Sequence, residues 1–277
     1  MVRKKNCIIT GGTSGLGLAL VKKFINNSFL VHIIAKDNKK IQKLVNYFYE
    51  RDIKSFKFYQ ADLAEENELN KVILQIKNLD KIDVLINNAG ALFLKREVNS
   101  KGIEKTFAVN YLSHFYLTIS LIDLMKKTKN SRLINISSMV HKFAKLNLND
   151  MNFSKNYNGY VAYFNSKLMN LLFSYKINRI YYNYINCNVI HPGWLNTNFG
   201  SNNQSSIRFL LDFVKDKFAK KPSYVADEIY NICTAQEYLN YSGKYFVKNN
   251  ITKSSDLSYR EDLQDELWEK SLKMINM

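Results

Sequence analysis

The sequence predicts an α/β protein built on a doubly wound parallel β-sheet, and three observations support this fold class. Short apolar or β-branched segments alternate with segments whose apolar residues follow a helical period. The apolar segments are uniformly hydrophobic, which is typical of strands covered on both faces. No segment rich in Gly, Ser or Pro divides the chain, which has only two prolines. We therefore expect a single domain over residues 1–277, with about seven strands between helices on both faces.

The predicted elements follow one another in a regular order. The strands are expected at NCIIT, FLVHIIA, SFKFYQA, DVLINNAG, RLINISS, YINCNVIHPG and GKYF. Helices are expected between them, among others at LGLALVKKFINN, NKKIQKLVNYFYE and NELNKVILQIKN, because each has an amphipathic spacing of apolar residues. A last amphipathic helix is expected at SYREDLQDELWEKSLKMI. It either packs on the body of the protein or mediates self-association, as in a homodimer.

The formal net charge of +16 raises the question of a nucleic-acid partner. The lysines are scattered over the whole length, and the sequence has no compact Arg cluster, RNA-binding aromatic pattern or zinc-finger spacing. We interpret the charge as a solvated surface and expect no nucleic-acid partner. Weak attraction to anionic ligands or membranes is the first alternative, and a charge-driven nucleic-acid binder is the second.

The three cysteines are far apart in the sequence and make no C-x-x-C pair. This pattern favours buried, reduced thiols and a cytoplasmic protein. The first residues contain no secretory apolar region, and no apolar run is long enough for a membrane-spanning helix. No cluster of His, Cys and carboxylate residues indicates a metal site.

A glycine-rich loop, TGGTSGLG, joins the first predicted strand to the first predicted helix. Gly11 permits a tight turn, and Gly15 and Gly17 let the helix N-terminus approach a pyrophosphate and pack on the strand. The helix dipole and free N–H groups then face the anion. At this position the loop predicts a Rossmann-like dinucleotide site.

The end of the second predicted strand bears on the type of nucleotide. An acid here suits the ribose 2′-hydroxyl of NAD, whereas a basic residue suits the 2′-phosphate of NADP. Ala35 takes the expected position of the acid and Lys36 follows it. We therefore favour NADP(H). NAD(H) is the alternative, because Asp37 comes one residue later, and Lys36 could also be an ordinary surface charge.

Further motifs follow in order: Asp62 in YQADLAE, NNAG at residues 87–90, Asn110 in TFAVNYLSHFYLT, Ser138 in RLINISS, Tyr163 with Lys167 in YFNSK, and HPGW at residues 191–194. Together with the glycine loop, they resemble the short-chain dehydrogenase/reductase family over nearly the whole chain. VNYLSHFYLT and YFNSKLMNLLF are most similar to the branch of retinol dehydrogenases and WW-domain oxidoreductase. The resemblance implies a cofactor-binding half, mainly residues 1–100, and a catalytic and substrate-binding half, residues 101–277.

The resemblance also implies a set of cofactor-binding residues. Asp62 would contact the adenine amino group, Lys36 the 2′-phosphate, and Thr197 the nicotinamide carboxamide. The full set is Gly11, Thr13, Ser14, Gly15, Leu16, Gly17, Lys36, Asp62, Leu63, Asn88, Ala89, Gly90, Tyr163, Lys167, Pro192, Gly193 and Thr197.

The implied catalytic residues are Asn110, Ser138, Tyr163 and Lys167. Tyr163 would be the general acid/base, because a lysine one helical turn away favours the phenolate and lowers the pKa of the tyrosine. Lys167 would also bind the nicotinamide ribose, and Asn110 would hold a water that links Lys167 to solvent. Ser138 would bind the substrate oxygen, with Ser137 as the competing serine.

Two nearby residues have simpler interpretations. Tyr160 is expected in the pocket wall or in packing, close to the start of its helix and not clearly within it. His114 is expected to pack within its helix and not to act as a catalyst.

Residues 205–221 form a basic amphipathic segment, which predicts either a cover for the substrate and ordinary packing or contact with a membrane surface. Either use suits a lipophilic substrate such as a retinoid, a steroid or a lipid aldehyde. The expected function is an NADP(H)-dependent oxidoreductase that interconverts an alcohol and a carbonyl. The alternative is a catalytically silent NADP(H)-binding regulatory protein with the same fold.

Overall fold

The computed structural model describes residues 4–193 and 221–276. Over these residues the sheet has eight strands, in the spatial order β3-β2-β1-β4-β5-β6-β7-β8. In chain order they are β1 (Asn6–Thr10), β2 (Leu30–Ala35), β3 (Phe56–Gln60), β4 (Val84–Asn87), β5 (Ser131–Ile136), β6 (Ile185–His191), β7 (Tyr245–Val247) and β8 (Asn250–Ile251). Thr197 and all of the segment 205–221 except Lys221 lie outside the described residues.

The first seven strands pair in parallel, and only the pair β7–β8 is antiparallel. All seven predicted strands are present, and the doubly wound α/β fold is confirmed. The two residues of β8 are the addition, because so short a strand leaves no sequence pattern. The chain returns from β3 at one edge to β4 on the other side of β1. This change of direction opens a crevice at the carboxyl ends of β1 and β4, where such sheets bind ligands.

The described helices lie between the strands as expected. They are α1 (Gly15–Asn26), α2 (Asn38–Tyr49), α3 (Glu66–Ile76), α4 (Lys105–Phe107), a π-helical turn (Ala108–Leu112), α5 (Ser113–Lys126), α6 (Gly159–Tyr181), α7 (Pro222–Thr234) and α8 (Glu261–Met274). Short 3₁₀ turns occupy Met139–Phe143, Leu148–Asp150, Gln236–Tyr238 and Asp256–Tyr259. None of the described helices combines the length and the apolar character needed to cross a bilayer.

Both faces of the sheet are buried by separate apolar clusters. Neighbouring residues of one strand point to opposite sides, so that Ile8 packs with α3, α5 and α6 whereas Ile9 packs with α1 and α7. This arrangement explains the uniformly apolar strands. The three cysteines are free and buried, as the sequence predicts.

The last helix packs on the body of the protein. The indole of Trp268 packs against the rings of Phe115 on α5 and Phe173 on α6, at centroid distances of 5.3 and 6.3 Å. The hydroxyl oxygens of Tyr111 and Ser271 are 2.8 Å apart in the same interface. Of the two expectations for this helix, packing is therefore the one that the structure shows, and self-association stays a prediction.

Candidate active site

The glycine loop is packed closely against the end of β4. The hydroxyl oxygen of Thr10 accepts the backbone N–H groups of Asn88 and Ala89 at 2.9 and 3.0 Å, and the Asn88 amide donates to the Thr10 carbonyl at 2.9 Å. Gly11 has a φ of +69°. A Cβ atom on Gly17 would lie 2.1 Å from the Gly11 carbonyl oxygen, so only glycine fits there.

The N-terminus of α1 is suited to an anion. Ser14 is its N-cap residue but makes no side-chain capping hydrogen bond, and the first turn contains no acidic residue. The positive end of the helix dipole is therefore not neutralised from within the helix. Thr13 and Ser14 are accessible, whereas Leu16 is buried. These residues fit the pyrophosphate of a dinucleotide.

Two predicted cofactor residues meet at the ends of β2 and β3. The ammonium nitrogen of Lys36 lies 2.6 Å from a carboxylate oxygen of Asp62, and this hydrogen bond raises the pKa of Lys36. The Lys36 side chain is 70% exposed. The other carboxylate oxygen of Asp62 accepts the backbone N–H of Ala64 at 3.0 Å. The side chain of Leu63, the residue after Asp62, is buried. Lys36 and Asp62 therefore form an ion pair at the ends of β2 and β3.

Asp37 has a structural task in this region. It is the N-cap of α2, and its carboxylate accepts the backbone N–H of Lys40 at 3.1 Å. This hydrogen bond lowers the pKa of Asp37. A carboxylate that caps its own helix is poorly placed to bind a ribose hydroxyl. Lys36 is therefore the side chain at the end of β2 that is better placed to contact the adenosine ribose.

Asn110 lies in the π-helical turn, an element often found at functional sites. Its side-chain oxygen accepts the N–H of Ala91 at 2.7 Å, and its NH₂ group donates to the Ala91 carbonyl at 2.9 Å and to the Ser166 hydroxyl at 3.1 Å. Both amide hydrogens are thus occupied. The side chain fixes the loop after Gly90 to α6, and a water molecule could only donate a hydrogen bond to it.

Tyr163 and Lys167 lie one turn apart on α6. The Lys167 ammonium nitrogen is 5.3 Å from the centroid of the Tyr163 ring and donates to the Ile136 carbonyl at 3.2 Å. Lys167 is 3% exposed, and burial lowers its pKa to about 8.

Burial also raises the pKa of Tyr163, although part of its side chain is accessible. The lowering expected from the neighbouring lysine is not seen in this structure. Desolvation disfavours the phenolate, and it outweighs the attraction of the ammonium group here.

The two serines after β5 have different surroundings. Ser137 is 2% exposed, and its hydroxyl donates to the carbonyl of Lys167 at 2.8 Å. Ser138 is partly exposed, and its hydroxyl oxygen accepts the N–H of Val140 at the long distance of 3.5 Å. The hydroxyl of Ser137 is therefore occupied by the backbone of α6, whereas that of Ser138 is more available to a substrate.

Helix α6 begins at Gly159, because the side chain of Asn158 accepts the N–H groups of Tyr160 and Val161. Tyr160 is therefore the second residue of the helix, close to its start as expected, and it lies within the helix, which the sequence had left open. It is two turns from Lys167, and Tyr163 is one turn away.

The turn after β6 contains Pro192 and Gly193, and Gly193 has a φ of +77°. Both residues are partly accessible at the carboxyl end of the strand. Thr197, which completes this part of the predicted site, lies outside the described residues.

The sequence model of the family described as short chain dehydrogenase matches residues 5–207 of the chain. The chain belongs to this family. It is thus an oxidoreductase, and its curated relatives place it near the retinol dehydrogenases. Human polyprenol dehydrogenase is 30% identical, over 96% of this chain and 84% of its own length. Mouse retinol dehydrogenase 13 is 27% identical, over 99% of this chain and 84% of its own length.

Solved structures share the fold of this short-chain dehydrogenase. An uncharacterised protein from Mycobacterium paratuberculosis has a TM-score of 0.78 at 22% identity, covering 99% of this chain and 94% of its own. The NADPH-bound carbonyl reductase from chicken fatty liver has a TM-score of 0.67 at 17% identity, covering 91% of this chain and all of its own.

Several residues that support the site of this dehydrogenase were not singled out from the sequence. Thr10 and Ser166 anchor the NNAG loop and Asn110, and their positions inside TGGTSGLG and YFNSK were the available signal. His114, which the sequence analysis expected to pack within its helix, is buried, and its Nε2 lies 3.3 Å from the Thr10 hydroxyl, so it also supports the glycine loop. His141 contacts Ser138, and no sequence pattern indicated this.

Proposed function

We propose that this short-chain dehydrogenase interconverts an alcohol and a carbonyl on a small, lipophilic molecule with NADP(H). The observation that carries the proposal is the buried Lys167 beside the ring of Tyr163. Its ammonium group is held to the carbonyl of Ile136, two residues before Ser138. This contact supports a site in which a proton donor, a cation and a substrate-binding hydroxyl act together at the carboxyl ends of the strands.

The bound nicotinamide supplies or accepts the hydride. In reduction, Tyr163 gives its proton to the carbonyl oxygen, and in oxidation it takes the proton from the alcohol. Ser138 donates a hydrogen bond to the same oxygen and stabilises the charge that develops there.

Lys167 opposes the effect of burial on Tyr163 without cancelling it. Because burial raises the pKa of the phenol, the phenolate needs a nearby positive charge. With a pKa of about 8, Lys167 is mostly charged at neutral pH and supplies that charge. Asn110 keeps the loop after NNAG and Ser166 in place, so that α6 presents Tyr163 and Lys167 to the cofactor side.

The preference for NADP(H) is supported by Lys36 at the end of β2 and by the capping role of Asp37. The fold neighbour from chicken fatty liver also binds NADPH. A lysine beside the adenosine suits the extra 2′-phosphate of NADP.

A lipophilic substrate is supported by exposed apolar side chains next to the catalytic residues. Met139 and Phe143 follow Ser138 in its 3₁₀ turn and are 43% and 66% exposed. The ring of Phe143 is 6.1 Å from that of Phe164, the neighbour of Tyr163. An apolar wall beside the reacting groups suits a retinoid, steroid, lipid aldehyde or polyprenol-like alcohol, in line with the names of the relatives.

The decisive experiment combines NADPH binding with an NADPH-consumption screen over retinoid, steroid, quinone and aldehyde panels. The wild type should turn over a lipophilic member of the panel, and Tyr163→Phe should abolish turnover while it retains cofactor affinity. Turnover by Tyr163→Phe would overturn the assigned role. Tight NADPH binding without turnover of any panel member would instead favour the silent regulatory alternative.

Phe143→Ala tests the apolar wall. It should raise KM for a retinoid aldehyde by about 10-fold and leave KM for a short aldehyde within about twofold, because an exposed phenyl ring contributes roughly 1–2 kcal/mol of apolar contact. Equal changes for both substrates would contradict the assignment of Phe143 to the substrate wall.

A further inference from the structure

His141 joins the turn that carries Ser138 to a distant part of the chain. Its Nδ1 lies 2.7 Å from the carbonyl oxygen of Ser138, and its Nε2 lies 3.0 Å from the backbone nitrogen of Ser255. The ring is 1% exposed, and it meets the ring of Tyr245 edge-on at 5.2 Å.

The partners of His141 determine where its proton is. The backbone N–H of Ser255 can only donate, so Nε2 is the acceptor. The proton of the neutral imidazole is therefore on Nδ1, which donates to the Ser138 carbonyl. Burial lowers the pKa of His141, which is consistent with this neutral form. Both ring nitrogens are satisfied, so the ring has one tautomer and one orientation.

The segment at the other end of this link is itself fixed to α6. The hydroxyl of Ser254 is 2.7 Å from the hydroxyl of Tyr175 on α6 and 2.7 Å from that of Ser258. The ring of Tyr175 stacks on that of Tyr259 at 5.2 Å. Ser255 follows directly in the chain. Through His141, the carbonyl of Ser138 is thus connected to the helix that also carries Tyr163 and Lys167.

We propose that His141 is a positioning residue, which sets the distance of Ser138 from Tyr163 by tying the serine to the Ser254–Tyr175 contact on α6. This inference rests on the proposed function, because it takes Ser138 as the residue that binds the substrate oxygen. The link matters because, among residues 4–193 and 221–276, the hydroxyl of Ser138 has only a long contact of its own, 3.5 Å from the Val140 nitrogen.

Two substitutions separate the two ends of the link. His141→Asn places an amide nitrogen near the position of Nδ1 and keeps the donor to Ser138. His141→Gln places an amide oxygen near the position of Nε2 and keeps only the contact with Ser255. We expect kcat to fall by about 100-fold in His141→Gln, since a misplacement of about 1 Å costs that much. In His141→Asn we expect a fall of similar size, because losing the contact with Ser255 also releases Ser138 from α6. KM for NADPH should stay within about twofold in both.

A matched control and a double variant exclude a merely structural role. His32 is also buried and makes two hydrogen bonds, but it lies within β2, away from Ser138. His32→Gln should lower Tm as much as His141→Gln does and leave kcat within about twofold. Combined with Ser138→Ala, His141→Gln should add no further loss of kcat, because the histidine acts through the serine. Additive losses, or a kcat within about twofold of the wild type in either His141 variant, would overturn the proposal.

A measurement without substrate keeps the two proposals distinguishable. Amide hydrogen exchange of the peptide 137–143 should be at least about 10-fold faster in both His141 variants than in the wild type. If exchange is unchanged in both variants, the positioning role fails. If exchange changes as expected but Ser138→Ala retains full turnover of retinal with NADPH, the positioning is real and the assigned role of Ser138 fails.

Discussion

The replacement of Lys167 by methionine should stabilise the protein and abolish its activity. Lys167 is 3% exposed, and burial lowers its pKa from 10.5 to about 8. A difference of roughly two and a half pKa units corresponds to about 3 kcal/mol. Burial of the charged Lys167 therefore lowers the free energy of unfolding at pH 7 by about this amount. The variant also loses the hydrogen bond to the Ile136 carbonyl, which lowers its gain in stability by about 1 kcal/mol. Lys167→Met should therefore unfold with a free energy about 2 kcal/mol higher than the wild type at pH 7.

The pH dependence provides the sign of the effect. Between pH 8 and pH 10.5 the unfolded lysine still holds its proton and the folded one has released it. The stability of the wild type therefore rises with pH in this window, relative to a variant without the lysine. The advantage of Lys167→Met should disappear as the pH approaches 10.5.

Urea unfolding of both proteins at pH 7 and pH 10 measures this difference. Lys142→Met, in the exposed turn after Ser138, is the control and should change the free energy of unfolding by less than about 0.5 kcal/mol at both pH values. A Lys167→Met variant that is less stable than the wild type at pH 7, or whose advantage does not depend on pH, would refute the reasoning. Any remaining NADPH-dependent turnover would refute the role of Lys167 in catalysis.

Three further tests by substitution address other parts of the site. Ser138→Ala should lower kcat by about 100-fold or more in steady-state kinetics. Ser137→Ala should leave kcat within about fivefold and lower the stability by about 1 kcal/mol, seen as a lower Tm. A larger loss of kcat in Ser137→Ala than in Ser138→Ala would exchange the roles of the two serines. Lys36→Ala should raise the Kd for NADPH by about 10-fold and that for NADH by less than about twofold, with Lys40→Ala as the control; equal losses for both nucleotides in a fluorescence titration would contradict the 2′-phosphate assignment. Gly17→Ala should lower Tm and weaken NADPH binding, because its Cβ would lie 2.1 Å from the Gly11 carbonyl oxygen. Gly→Ala within a helix usually raises stability by about 1 kcal/mol, and such a rise here would show that the loop is not tightly packed at Gly17.

The fold was predictable because its signals are local. Most of the strands are short, mainly apolar segments, and the helices between them have an apolar period, so the alternation was visible without any contact. The strand β8 has two residues and therefore no period. The start of α6 was uncertain because Tyr-Asn-Gly is typical of a turn, whereas here Asn158 serves as the cap of the helix.

The identities of the predicted site residues were local signals too, but their energetics were not. The direction of the pKa of Tyr163 depends on how deeply α6 is buried, and no sequence pattern gives that. The hydrogen bond between His141 and Ser255 joins residues that are far apart in the chain. The contact between Lys36 and Asp62 likewise depends on the order of β2 and β3 in the sheet.

The packing of Trp268 on α5 and α6 has a consequence for synthesis of the chain on the ribosome. Trp268 is made roughly 95 residues after its partner Phe173, which takes about 5 to 20 seconds at normal elongation rates. During this time the apolar face formed by Phe115 and Phe173 lacks its final cover. We expect the nascent chain to engage chaperones in this interval, and to be released once α8 has docked.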